Sequence, residues 1–214
     1  MTNILRIDSS SRPAGQVADG ASFTREVADE VIRQVMAIDP AAHLVMRDLI
    51  ADPIPHIAAQ TITGYYTDPA AMTPELSAAT VLSDHLIEEV VSADHIIISA
   101  PIYNFSMPSA LKAWIDQIVR GGKTFAYEYG QFRGLLEDRP VHLILGYGAG
   151  GYGAGGPLEA YDYLRPYLTR VLNFIGLTSV KVIAIENTTA PDAAVHLAEA
   201  KANIARRFTQ IAVQ

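Results

Sequence analysis

The sequence predicts a doubly wound α/β fold: a parallel sheet of five strands with helices on both faces. Five short strand-like runs alternate with stretches of helical periodicity, the order that right-handed crossovers turn into a parallel sheet. The run Ile96-Ile97-Ile98 is apolar at every position, as a strand buried on both faces must be, and it stops at Pro101, which has no N–H for a continuing ladder. With 214 residues, half of them hydrophobic, the chain can bury one substantial core, so residues 1–214 are expected to form a single domain.

Asn3 to Asp8 reads as the first strand. Phe23 to Ile38 reads as a helix, because Val27, Ala28, Val31, Ile32 and Val35 recur at three- and four-residue spacing until Asp39-Pro40 ends the pattern. His43 to Asp48 is a second strand, and the following stretch from Asp52 to Asp68, with Pro53, Pro55 and Tyr65-Tyr66, reads as a long surface excursion. Thr73-Pro74-Glu75 has the chemistry of a helix start: Thr as cap, Pro at the first helical position and an acid at the positive end of the dipole. Leu76, Ala79, Leu82, Leu86 and Val90 continue that helix to a third strand over residues 94–100. Pro108 suits the first turn of a helix striped by Leu111, Ile115 and Ile118 and closed by Gly121-Gly122, whereas Lys123 to Leu136 is too irregular to assign. Val141 to Leu145 is the fourth strand. Pro166 would break a helix running from Glu159, so the next main helix spans Pro166 to Ile175, capped by Gly176 and preceded by a turn. Val180 to Ile185 is the fifth strand, and Pro191 opens a last helix with Leu197, Ile204, Phe208 and Ile211 on one face.

Composition narrows the function. The net charge of -7 is spread along the chain, with no Lys/Arg stripe of the kind that a phosphate backbone requires, so nucleic acid is not an expected partner. The absence of cysteine excludes disulfides, thiolate nucleophiles and cysteinyl cofactor links, and any redox chemistry then needs a bound cofactor. Residues 1–8 enter a strand-like pattern with no basic region and long apolar run before it, and no 18-residue apolar span occurs; the expectation is a soluble, cytoplasmic protein without a membrane partner. The histidines (His43, His56, His85, His95, His142, His196) lack the i, i+4 spacing of a helical metal site, and a packed imidazole is the simpler reading of His142.

Periodicity leaves the strand order open among doubly wound topologies. The loops favour the flavodoxin-like order 2-1-3-4-5, in which ligands bind at the carboxyl ends of the strands, where the sheet reverses between strands one and three. Ser9 to Ser22, Pro101 to Pro108 and Gly146 to Gly156 would then meet at one edge. In the first loop, Ser10 and the Ser22-Phe23-Thr24 entry to a helix can offer hydroxyls and free N–H groups to a phosphate, or serve only as a turn and a cap. In the second, Ile102-Tyr103-Asn104-Phe105 can meet the edge and face of a tricyclic ring through backbone N–H groups, an amide and stacking faces, or form a structural corner. The third lets backbone approach a ligand closely or acts as a flexible tip, with Tyr147 and Tyr152 as the side chains most suited to cover a ring. Walker A and three-glycine dinucleotide patterns are both missing.

The spans Asn3 to Ser11, Ser22 to Asp29 and, above all, Ala100-Pro101-Ile102-Tyr103-Asn104-Phe105 followed by Leu111-Lys112 resemble the FMN-dependent NADH:quinone oxidoreductases, also called azoreductases. The likeness extends through Arg47-Asp48-Leu49 to Pro53-Ile54-Pro55 and to Phe174-Ile175-Gly176, so it covers most of the chain. It implies a flavodoxin-like homodimer with active sites at the subunit interface, FMN held non-covalently, NADH or NADPH as donor, and quinones and azo compounds as acceptors in a ping-pong cycle. By the same likeness, Ser10, Ser22, Phe23 and Thr24 hold the phosphate end, and Ile102, Tyr103, Asn104 and Phe105 hold the isoalloxazine. Where that family commonly has Ser-Arg-Gly-Gly, this chain has Gly146, Tyr147, Gly148 and Ala149, which leaves cofactor contact there to the backbone. Tyr65, Tyr66, Phe125 and Tyr127 are candidates to roof the partner's flavin or to pack within their own subunit, and Trp114 reads as a core or dimer-contact residue. Two rival classes are an FMN-binding electron carrier or redox-responsive regulator with little NADH turnover, and a flavin-free hydrolase using one of Ser9 to Ser11. No Gly-x-Ser-x-Gly elbow supports the hydrolase.

Overall fold

A computed structural model describes residues 1–212, and side chains as far as residue 208. In chain order the elements are β1 (Asn3–Asp8), α1 (Phe23–Ile38), β2 (His43–Asp48), α2 (Ala59–Tyr66), α3 (Pro74–Ser92), β3 (His95–Pro101), α4 (Ser109–Ile118), β4 (Phe125–Glu128), β5 (Gln131–Gly134), β6 (Val141–Gly146), α5 (Arg165–Phe174), β7 (Val180–Ile185) and α6 (Ala193–Ala212). The main sheet has five strands in the order β2-β1-β3-β6-β7, with every pairing parallel. Counted along the chain this is not the expected 2-1-3-4-5, because the antiparallel hairpin β4-β5 takes the fourth and fifth places outside the sheet.

The triple-isoleucine strand is buried as its composition requires. Ile96 and Ile98 face one core with Leu5, Ile7, Leu143 and Leu145, while Ile97 faces the other with Ile4 and Ile144. The period of two thus divides each central strand between opposite layers. On the first side lie α3, α4 and α5, through Leu86, Val90, Leu111, Trp114, Ile118, Leu168 and Leu172. On the second lie α1 and α6, through Val27, Val31, Val35, Leu197, Ile204 and Phe208. Ile211, expected on the same face of α6, lies outside the residues whose side chains are described.

Several boundaries and two elements depart from the sequence reading. The region 52–68 is not irregular throughout, for α2 forms within it and packs Gly64 so tightly on α3 that an added Cβ would lie 2.6 Å from Thr80 Cγ2. The unassigned segment after Lys123 holds the hairpin, turned by Tyr129 and Gly130, both at positive φ (53° and 79°). Its aromatic face closes on α5, with Phe125 and Phe132 rings 4.8 and 5.3 Å from Phe174. Pro108 stands at the cap position of α4 and not inside its first turn, and that helix ends at Ile118, before Gly121-Gly122. The last helix begins at Ala193, two residues after Pro191. Among the described residues, no helix is long and apolar enough to cross a membrane.

Candidate functional site

β1 and β3 are neighbours whose chains leave the sheet toward opposite sides, so the space beyond their carboxyl ends is the switch point at which doubly wound sheets hold ligands. A cleft of about 210 Å3 opens there. It is lined by residues from all three expected loops: Ser10, then Ser22, Phe23 and Thr24, then Ile102 and Tyr103, then Gly146 and Gly148. Arg12 and Pro101, from the first two of those loops but not singled out as site residues, complete it with Thr188 and Thr189, which lie outside every expected loop. The threonines follow β7, so the rule that ligands sit beyond strand carboxyl ends could have found them.

The serine loop is held from beneath by buried charge. Arg25, on the first turn of α1, reaches Asp48 at 2.6 and 2.8 Å and Asp8 at 3.3 Å, and donates to the Ser10 carbonyl at 2.8 Å. Burial works against its charge, but the bonds to Asp48 and the field of Asp8 prevail and hold its pKa above the ordinary value. Asp8 also accepts from the Ser99 hydroxyl at 2.6 Å, tying the ends of β1 and β3 together. Ser22 caps α1 through the Arg25 N–H, while helix geometry leaves the N–H groups of the first turn without intrahelical acceptors. Hydroxyls of Ser10, Ser22 and Thr24 therefore stand beside the positive end of a helix dipole, an arrangement of the kind that favours an anion.

The opposite wall is the Tyr103 loop. The Tyr103 hydroxyl accepts from the Ser11 N–H at 3.1 Å and bonds the Ser11 hydroxyl at 2.7 Å, which joins the two loops across the cleft mouth. Burial pushes the phenol upward, but the Ser11 bonds and the Arg12 charge outweigh it and lower its pKa. Asn104 and Phe105 adopt φ of 47° and 72° and lie outside the cleft lining; Phe105 turns its ring toward Tyr161 at 5.3 Å. The loop is stabilised by reciprocal backbone bonds between Tyr103 and Ser106, at 2.8 and 3.0 Å.

The glycine loop offers the cleft backbone alone. A Cβ at Gly146 would meet Thr24 Cγ2 at 2.7 Å, so that position must be glycine, whereas one at Gly148 would make only an ordinary contact with Thr189 Cγ2 at 3.4 Å. Tyr147 does not cover a ring as expected. Its side chain is fully buried, donates to Asp162 at 2.9 Å and stacks on Tyr152 at 4.8 Å, and both tyrosines pack into the core beneath the loop. Burial and the Asp162 carboxylate push its pKa up. Ala149 is exposed and outside the lining. Nor is the loop a free tip, since Glu186 accepts from the N–H groups of Gly151 at 2.7 Å and Tyr152 at 3.1 Å. A hydrolase is not supported: Ser9 is buried and donates to the Ser99 carbonyl at 2.9 Å, and no histidine or carboxylate is among the residues lining the cleft.

Residues 2–208 match a family model described as having a flavodoxin-like fold. An FMN-dependent NADH:quinone oxidoreductase of Xanthobacter autotrophicus is 48% identical over 182 residues, covering 85% of each chain. The chain belongs to the FMN-dependent NADH:quinone oxidoreductase family. Another member, from Herminiimonas arsenicoxydans, is 41% identical and the match covers 94% of this chain and 95% of that protein. The fold of this family member is also that of an azoreductase from Bacillus anthracis, with a TM-score of 0.86 over 98% of this chain and 100% of that one at 22% identity. A Bacillus anthracis FMN-dependent NADH-azoreductase, solved in complex with FMN, gives a TM-score of 0.83 at 23% identity, covering 99% of this chain and 100% of that one.

Proposed function

We propose that the chain is an FMN-dependent oxidoreductase that passes two electrons from NADH or NADPH to quinones and azo compounds, working as a cytoplasmic homodimer of single-domain subunits. One observation carries this reading: in a member of the quinone oxidoreductase family, three loops distant in sequence meet in one cleft lined by hydroxyls at a helix N-terminus and by bare glycine backbone. FMN fits that arrangement. Ser10, Ser22, Phe23 and Thr24 would hold its phosphate by hydroxyl and helix N–H donors, and Thr188 and Thr189 line the same cleft. Pro101, Ile102 and Tyr103 would flank the ring system, with Asn104 and Phe105 shaping the turn behind it, while Gly146 to Ala149 would present backbone that admits a flat ring.

When bound, FMN supplies two-electron chemistry that links a reduced nicotinamide to an acceptor in successive half-reactions. The protein's residues bind, orient and exclude water; no cleft side chain is assigned as general acid or base. Tyr66, Tyr127 and Tyr129 are exposed at 83%, 63% and 102%, and such aromatic side chains suit contact with a second subunit. Tyr65 and Phe125 are not among them, being held within their own subunit by Gln117 and by Phe174.

The test is direct. Purified protein mixed with FMN should give flavin absorbance bands shifted from those of free FMN, and steady-state NADH oxidation with a quinone should give parallel double-reciprocal lines. Unshifted bands sink the cofactor assignment, and flavin binding without NADH turnover favours the electron-carrier reading instead.

A further inference from the structure

Arg12 is the one charged side chain among the residues lining the cleft. No acid pairs with it among the described residues; its guanidinium makes a single long bond, Nη1 to the Gly20 carbonyl at 3.4 Å, and remains exposed. The neighbouring arginines differ. Arg6 and Arg25 are both buried and both in contact with Asp8, and Arg25 also forks onto Asp48. In a protein of net charge -7, an unpaired cation at the mouth of a cleft with no carboxylate in its lining is a site prepared for an anion.

Its placement says which anion. The Arg12 N–H donates to the Ser10 hydroxyl at 3.2 Å, so one tight turn sets the backbone that carries the cation next to a cleft hydroxyl, and both line the same cleft as the start of α1. A phosphate monoester carries roughly 1.5 to 2 negative charges at pH 7. A helix N-terminus offers only about half a positive charge, and hydroxyls offer none, so those donors alone leave a charge unmatched. We infer that Arg12 is the counter-ion of the terminal phosphate monoester, and that it gives the cleft its preference for FMN over the uncharged flavin, riboflavin. This rests on the FMN reading above.

The decisive measurement is the dissociation constant of FMN and of riboflavin, each by quenching of flavin fluorescence, for the full-length protein and its Arg12→Gln and Arg12→Lys variants at low and high salt. FMN affinity should fall about tenfold in Arg12→Gln, riboflavin affinity should stay within about twofold, and Arg12→Lys should recover most of the loss. Raised salt should weaken FMN in the parent protein more than in Arg12→Gln. Unchanged FMN affinity in Arg12→Gln overturns the inference while leaving the cofactor assignment standing. Loss of both flavins by the same factor also overturns it, since Arg12 would then act through the loop and not on the phosphate. A parent protein that binds neither flavin would instead remove the FMN reading itself.

Discussion

The Tyr103 hydroxyl, bonded to both the N–H and the hydroxyl of Ser11, latches the loop after β3 to the loop after β1. Tyr103→Phe keeps the aromatic face and removes the latch. Because the bond lies at an exposed cleft mouth, unfolding stability in urea should drop by no more than about 1 kcal/mol, whereas the FMN dissociation constant should rise about fivefold as the two loops part. Identical flavin affinity in that variant would show that the loops hold their positions without it. Several of these residues were legible from their types: hydroxyls before a helix start, and an aromatic-amide-aromatic run after a buried strand. Tyr147 was not. A tyrosine in a glycine loop looks like a ligand cover, yet the ring finds more buried area beneath the loop, where Asp162 also satisfies its hydroxyl. Arg12 stood beside the serines in the sequence, but what makes it notable is that no carboxylate among the described residues pairs with it, which only three-dimensional proximity reveals.

Helix α1 and strand β6 touch at a point where the chain has no room to spare, Thr24 against Gly146. Gly146→Ala forces a methyl to within 2.7 Å of Thr24 Cγ2, so it should cost about 1–3 kcal/mol in urea unfolding and weaken FMN binding by displacing the first turn of α1. Adding Thr24→Ser removes the opposing methyl and keeps the hydroxyl; the double variant should regain most of both losses. A double variant no better than Gly146→Ala would place the strain elsewhere. Elements with strong period and caps, such as α1 with Ser22 and α3 with Thr73-Pro74, matched their expected bounds or nearly so. Helix α2 was hidden because Gly64 and two tyrosines give it little helical signal, and it stands by packing: Tyr65 donates to Gln117 at 2.8 Å and lies under Arg120 at 4.5 Å. The β4-β5 hairpin was hidden for a related reason. Its turn is Tyr129-Gly130 and not an Asn-Gly or Asp-Gly pair, and its strands are held by the Phe174 ring of a later helix.

Across the whole molecule, the layer of α1 and α6 closes over a histidine that must be neutral. His142 is buried between the His95 and Phe208 rings, at 5.8 and 5.7 Å, and burial, aided by His95, Lys181 and Arg207, lowers its pKa from 6.5 to about 4. Above pH 6.5 neither the folded nor the unfolded chain holds that proton, and the stability associated with this site is complete. As pH falls from 6.5 toward 4, the unfolded chain binds the proton and the folded chain does not, so about 3 kcal/mol of stability should be lost across that window, with no further loss from this group below it. Urea midpoints at pH 7 and pH 4.5 test this: the gap should narrow in His142→Phe, and an equal gap would assign the acid sensitivity to other groups. The alternation of elements, the doubly buried third strand and the three chemically distinctive loops are properties of local periodicity and residue chemistry, which act over a few neighbours and so can be read along the chain. What lies within the cleft, which tyrosine turns inward and which arginine stays unpaired depend on contacts between segments far apart in sequence, such as Tyr103 with Ser11 and Gly146 with Thr24. Those contacts exist only once the sheet has brought its strand ends together, because burial and pairing are properties of the packed molecule and not of any one segment.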